Sequence, residues 1–343
     1  MSRALLITGG GGVGKTTISA ALGVAAARRG IRTLVVTVDP ARRLADALGL
    51  EHLGNEPQPL AELPELWAAM LDASASWQAI ARRHADPEVA ERLVGNDFFD
   101  AATTHFPASQ SYAAAEEAAT FLDARAWELV VIDTPPSAGG IEFFTAPSAM
   151  TDLVGGRLLR WLTGSRLPGR RFIFNRAARP ALRIADSVLG SHLLERIAEF
   201  LMDLRTTYDG VSHRSREIEA HLRRSTTVVV TTADPSPIRE AVRFFRDLPE
   251  VAVRPSAVVF NRTLPEDWID AQPGDAELGL AENLHRWSAE ARRQRDMRLE
   301  FASRYLTTVA TIDWQPHPPT DLDALEHLVT EAAGLDLDRL LGA

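Results

Sequence analysis

The chain has 343 residues, 45% hydrophobic and 24% charged, with a formal net charge of -9 and no cysteine. That length holds one large α/β domain or two smaller ones, and the absence of thiols excludes disulfides, thiolate catalysis and Cys-based zinc or iron–sulfur centres. The acidic balance argues against a general nucleic-acid coat; without a leader pattern or an apolar run of about 18 residues to span a membrane, the expectation is a cytoplasmic protein.

Residues 5–17 read LLITGGGGVGKTT, an apolar strand-like run that breaks into glycines before a helix opens at Lys15. The stretch fits G-x-x-x-x-G-K-[ST]. Its candidate ATP-binding residues are Gly9, Gly10, Gly11, Gly12, Val13, Gly14, Lys15, Thr16 and Thr17. A loop nearly free of Cβ atoms lets successive backbone N–H groups close around phosphate oxygens, with a helix N-terminus behind them. Lys15 then reaches the β- and γ-phosphates, and the Thr16 hydroxyl is a candidate Mg²⁺ ligand. Lys15 is the only lysine among the 37 basic residues; an ammonium on a thin stem enters a phosphate cradle that a planar guanidinium does not fit in the same way. Residues 18–29 are alanine-rich and helix-forming and stop at Gly30.

Residues 33–38 (TLVVTV) form a β-branched run typical of a strand buried on both faces, and it leads into Asp39 and Pro40 at the end that faces the ligand crevice in such sheets. Residues 42–50 read as helix, 53–64 as proline-punctuated loop, and 66–71 (LWAAML) as either a strand or a helix start. Residues 76–93 and 111–125 are helical by pattern. Residues 129–132 (LVVI) are a further buried strand running into Asp133, Thr134, Pro135 and Pro136. An aspartate directly after an apolar strand holds Mg²⁺ through water in nucleoside-triphosphate sites.

Residues 146–222 carry apolar positions at spacings of three and four without β-branched runs, which predicts an α-helical insertion. Within it, Arg157, Arg160, Arg166, Arg170, Arg171, Arg176, Arg179 and Arg183 accumulate with no acidic residue from Leu153 to Ala185. Such a stretch is either a solvated face or a basic amphipathic surface for a membrane-protein segment, an anionic lipid surface or an acidic partner. Residues 226–232, 256–260 and 308–312 return to the strand pattern, residues 265–280 read as a mobile loop, and about 281–305 form a long helix. The fold class is therefore α/β: a P-loop NTPase with a mostly parallel sheet flanked by helices, its ATPase domain at 1–145 and 223–343 and the insertion at 146–222.

Residues 9–17, the run VTVDPARRLADALG ending at Gly49, VVIDTPPSAGGIEFF ending at Phe144 and TTADPSPIREAVRF ending at Phe244 resemble the ArsA family of ATPases, in the right order over most of the chain. The resemblance implies ATP and Mg²⁺ as cofactors, a face-to-face dimer, and roles position by position. Asp39 matches the first-switch aspartate that polarises the attacking water, with Pro40 beside it. Asp133 matches the Mg²⁺-binding carboxylate, and Thr134, Pro135 and Pro136 open the second switch. Asn261 matches the asparagine that reads adenine, Asp234 the acidic position of the adenosine pocket, and Pro316 and His317 the loop packing on the nucleoside; for Asn261 and Asp234, plain turn chemistry at strand ends is the alternative.

The family's first loop lysine, which reaches across the dimer, is replaced here by Gly10. Either Arg42 or Arg43 substitutes, or the second ATPase chain is a paralogue that keeps its lysine. Without cysteines there is neither thiolate arsenite sensing nor a zinc clasp, and no specific nucleic acid is expected. The leading reading is a dimeric ATP-hydrolysing switch with the insertion as its client or partner surface. The alternatives are an ATP-binding regulatory subunit with little hydrolysis, and a MinD- or ParA-like positioning ATPase.

Overall fold

The computed structural model describes residues 2–38, 43–96, 98–99, 103, 108–135, 138–155, 200, 203, 208–272 and 278–342. Its frame is an eight-stranded sheet in the order β3-β4-β2-β5-β1-β6-β7-β8. The strands are β1 (Arg3–Gly9), β2 (Thr33–Thr37), β3 (Gln58–Leu60), β4 (Leu63–Met70), β5 (Leu129–Asp133), β6 (Thr226–Thr231), β7 (Pro255–Thr263) and β8 (Thr308–Asp313). All pairings are parallel except the edge hairpin of β3 on β4. Every residue of β2 and β5 is buried, as continuous apolar runs in a parallel sheet covered on both faces should be.

Helix α1 (Lys15–Arg28) links β1 to β2 and owes its place to small residues. Ala20, Ala21, Ala25 and Ala26 are fully buried, and a Cβ on Gly23 would come within 2.2 Å of Val35 Cγ2. The helix shares one core with Leu325 and Val329 of a late helix (Leu322–Thr330) whose first turn is capped by Asp321, which accepts from the Ala324 N–H at 2.8 Å. Arg28 pairs with Glu326 at 2.6 Å and also with Asp323.

The remaining early helices are α2 (Arg43–Ala47), α3 (Ala73–His84), α4 (Pro87–Val94), α5 (Ser109–Ala124) and α6 (Ala138–Gly155); α7 (Tyr208–Arg224), α8 (Pro235–Asp247) and α9 (Leu278–Tyr305) follow. The helix expected over 76–93 is two, because Pro87 starts a new one after Asp86. Of the residues 66–71, Leu66 to Met70 belong to strand β4, paired with β2, and Leu71 follows its end. The loop expected over 53–64 contains β3, and that over 265–280 contains a 3₁₀ turn at Glu266–Trp268.

The chain forms two compact units, one of Met1–Asp72, Ala118–Phe144 and His221–Ala343, the other of Ala73–Glu117 and Thr145–Ala220. The second unit thus takes in residues that the sequence reading left in the 1–145 segment. An apolar cluster of Ala81, Leu93, Phe99 and Phe200 joins its parts, and so does an ionic one: Glu116 of α5 lies 2.8 Å from both Arg83 and His84 of α3 and 3.5 Å from Arg214 of α7. The arginine stretch of the insertion, Arg157 to Arg183, lies outside the described residues.

Candidate functional site

Parallel register brings the chemistry to one rim. Ile7 of β1 and Thr37 of β2 both stand opposite Asp133, the last residue of β5. Strand β1 lies between β5 and β6, and the chain leaves it towards β2 on one side and later returns to β6 on the other. Ligands in open α/β sheets bind outside the carboxyl ends of the strands at such a reversal.

The glycine loop occupies that place. Gly9 has φ 147°, and a Cβ there would lie 2.1 Å from the Val230 carbonyl oxygen of β6, so only glycine fits so close to a neighbouring strand. Gly14 caps α1 in the left-handed region at φ 96°, and a Cβ there would lie 2.3 Å from Asn261 Nδ2. Lys15 is 7% exposed and donates from Nζ to the Gly10 carbonyl oxygen at 2.9 Å. Directly beneath, the Thr16 hydroxyl donates to Asp133 Oδ2 at 2.6 Å and the Thr37 hydroxyl to the same oxygen at 2.9 Å.

These groups fit a Mg²⁺-nucleotide. A hydroxyl and a carboxylate are hard oxygen donors of the kind Mg²⁺ takes, and the hydroxyl belongs to the first turn of a helix whose N-terminus and lysine attract phosphate. Among the described residues there is no cluster of three or more His, Asp or Glu that could hold a metal ion, and no helix long and apolar enough to cross a membrane.

The other candidates divide by position. Thr134 fastens the segment after β5 to β1, since its N–H and its hydroxyl donate to the Ile7 carbonyl oxygen at 3.0 and 3.1 Å, and Pro135 follows. Asn261 lies within β7, buried, and donates from Nδ2 to the Val13 carbonyl oxygen at 2.8 Å. Asp234 sits at the head of α8, where it accepts from the Thr232 hydroxyl at 2.7 Å. Pro316 and His317 lie in the exposed segment after β8. Asp39, Pro40 and Pro136, and also Arg42, lie outside the described residues; Arg43 begins α2 and is exposed.

Three residues of the rim escaped the sequence reading. Thr37 looked like one more β-branched strand residue, and only register sets it against Asp133. Arg262 donates from Nη1 to the Gly12 carbonyl oxygen at 3.3 Å. Glu240 of α8 places its Oε2 2.2 Å from where a Cβ on Gly10 would be. Neither residue carries a local sequence signal.

A parallel sheet whose central strand ends in this glycine loop, with the carboxylate of the adjacent strand against the threonine that follows the lysine, defines a P-loop NTPase of the α/β class. Residues 2–277 match the anion-transporting ATPase family, the ArsA type, and the chain belongs to it and to its ATP-hydrolysing enzyme class. Among its relatives, an uncharacterised Streptomyces coelicolor protein is 33% identical over 94% of this chain and 75% of its own length. A Halobacterium salinarum protein, provisionally named an arsenical pump-driving ATPase, is 26% identical over 98% of this chain, which spans only 45% of it. The ATPase get3 of Aspergillus terreus is 24% identical over 77% of this chain and 74% of its own.

Proposed function

We propose that this chain is a cytosolic, Mg²⁺-dependent ATPase that works as a dimeric switch, its nucleotide state governing the binding of a membrane-protein client or a partner chain. The observation that carries the reading is the Thr16–Asp133 contact of 2.6 Å beneath the glycine loop. Backbone N–H groups from Gly9 to Gly14 bind the phosphates, and Lys15 exchanges the Gly10 carbonyl for them. Thr16 and Asp133 would hold the Mg²⁺, which would neutralise charge on the transferred phosphoryl group. Asp39 orients the attacking water, and Thr134, Pro135 and Pro136 answer to the γ-phosphate, so hydrolysis releases both switches. Asp234, Asn261, Pro316 and His317 line the nucleoside side, and residues 146–222 supply the client surface.

The test is turnover set beside binding. Asp39→Asn is expected to keep ATP affinity and lose at least about 100-fold in turnover, while Lys15→Ala loses binding. Asp39→Asn turning over at the wild-type rate overturns the catalytic assignment. Mass in solution with ATP should be twice that without it.

One observation favours a second reading, a regulatory subunit with little hydrolysis that pairs with a lysine-bearing paralogue. Gly10 stands where the family's first loop lysine is, so this chain offers a partner no such charge, and the tip of the Glu240 side chain lies 2.2 Å from where a Cβ would be. Tight ATP binding without turnover by the chain alone, restored by such a paralogue, would establish it.

A further inference from the structure

Near the carboxyl end of β7 the backbone takes a turn that its residue type does not favour. Arg262 is left-handed at φ 58°, a conformation that residues with a Cβ adopt rarely and at a cost. Two contacts hold it there. Its N–H donates to Asn261 Oδ1 at 3.0 Å, and its Nη1 donates to the Gly12 carbonyl oxygen at 3.3 Å. Asn261 donates in turn to the next carbonyl of the loop, that of Val13, at 2.8 Å. Consecutive residues of β7 thus grip consecutive carbonyls of the phosphate loop, across the width of β6. Asn261 is buried beneath, and the arginine is exposed at the rim.

The rim is polarised. Asp133 and Thr37, the groups suited to Mg²⁺, lie on the β5 and β2 side of β1. The terminal phosphates belong on that side, so the nucleoside extends over β6 and β7. β7 is two strands from β1, about 10 Å along the rim, which suits the distance from a phosphate chain to its base. An arginine there offers a flat cationic face, and guanidinium planes stack on aromatic rings.

The geometry points to Arg262 as a nucleoside-binding residue, whose guanidinium covers one face of the adenine base while its bond to Gly12 fixes the phosphate loop. Glycine at this position would meet the backbone requirement without strain; the side chain at the rim is what the strained turn presents. The inference rests on the nucleotide-binding reading above and adds to it a wall of the base pocket supplied by the chain itself.

The test uses the variant that improves the backbone. Arg262→Gly removes the guanidinium and relieves the left-handed turn, so its melting temperature should equal or exceed that of the wild type, and a loss of affinity is then not misfolding. Calorimetric titration of ATP and of ADP into wild type, Arg262→Gly, Arg262→Lys and Lys15→Ala separates the outcomes. Arg262→Gly is expected to weaken ATP and ADP by the same factor, on the order of tenfold, and Arg262→Lys to recover only part, because it keeps the charge and loses the plane. Unchanged affinities for Arg262→Gly overturn the inference. A loss confined to ATP also overturns it, since the guanidinium would then be meeting the γ-phosphate. Wild type binding neither nucleotide, like Lys15→Ala, would overturn the nucleotide-binding reading itself and this inference with it.

Discussion

Two adjacent glutamates of α5 meet opposite electrostatic fates. Burial pushes the Glu116 carboxyl up, but the hydrogen bonds from His84 and Arg83 and the charge of Arg214 outweigh it and hold it below the usual carboxylate range. At Glu117 burial wins over the 3.2 Å contact with Arg83 and raises its pKa. Burial likewise pushes up the Tyr112 phenol, whose hydroxyl donates to Glu116 at 3.2 Å. A carboxylate with a lowered folded-state pKa contributes stability that is present above its unfolded value and lost as pH falls through the folded one. A raised one contributes stability that is full below its unfolded value and lost as pH rises through the folded one. Glu116→Gln should therefore cost about 3 kcal/mol at neutral pH, leaving the buried Arg214 without its anion, and the deficit should shrink in acid. Glu117→Gln should raise the melting temperature at neutral pH and give no gain below about pH 4. Thermal melts of both variants across that range check the two signs; a loss of stability in Glu117→Gln at neutral pH would refute the second.

Among the elements, α1 does the most to set the geometry of the rim, because its distance from the sheet places Thr16 against Asp133. Small residues allow that distance. Gly23→Val, driven into Val35 and Leu66, should cost about 2–3 kcal/mol by overpacking, read as a lower denaturant midpoint with an unchanged slope. What was legible in sequence follows the same logic. Strands such as LVVI announced themselves because burial on both faces forces continuous apolar runs, and the glycine loop because its constraints are local. The edge strand β3 was obscure, since an edge needs fewer apolar residues and shares its composition with loops, and β4 beside it reads in sequence as either a strand or a helix start. The Thr37–Asp133 contact depends on register between strands almost a hundred residues apart. The left-handed turn at Arg262 uses a residue type that hides it, and the grouping of α3 with α7 depends on buried charges that local periodicity does not record.

For the molecule as a whole, the strand order carries a consequence in time. β1 is complete by Gly9 and finds one neighbour in β5, but its other edge pairs with β6, Leu5 opposite Thr226. Non-local pairing of this kind is slow to form and exposed to aggregation meanwhile. At about 5–20 residues per second, a ribosome takes roughly 10–45 s to supply the missing partner after β1 emerges. During that interval the strand that carries the phosphate loop has an open edge. Ribosome-bound chains of graded length, probed by brief proteolysis, should protect β1 only once the segment through Thr231 has left the exit tunnel, and protection of much shorter chains would contradict that order. A stop codon or translational pause placed between β5 and β6 should therefore yield aggregates rather than a smaller ATPase.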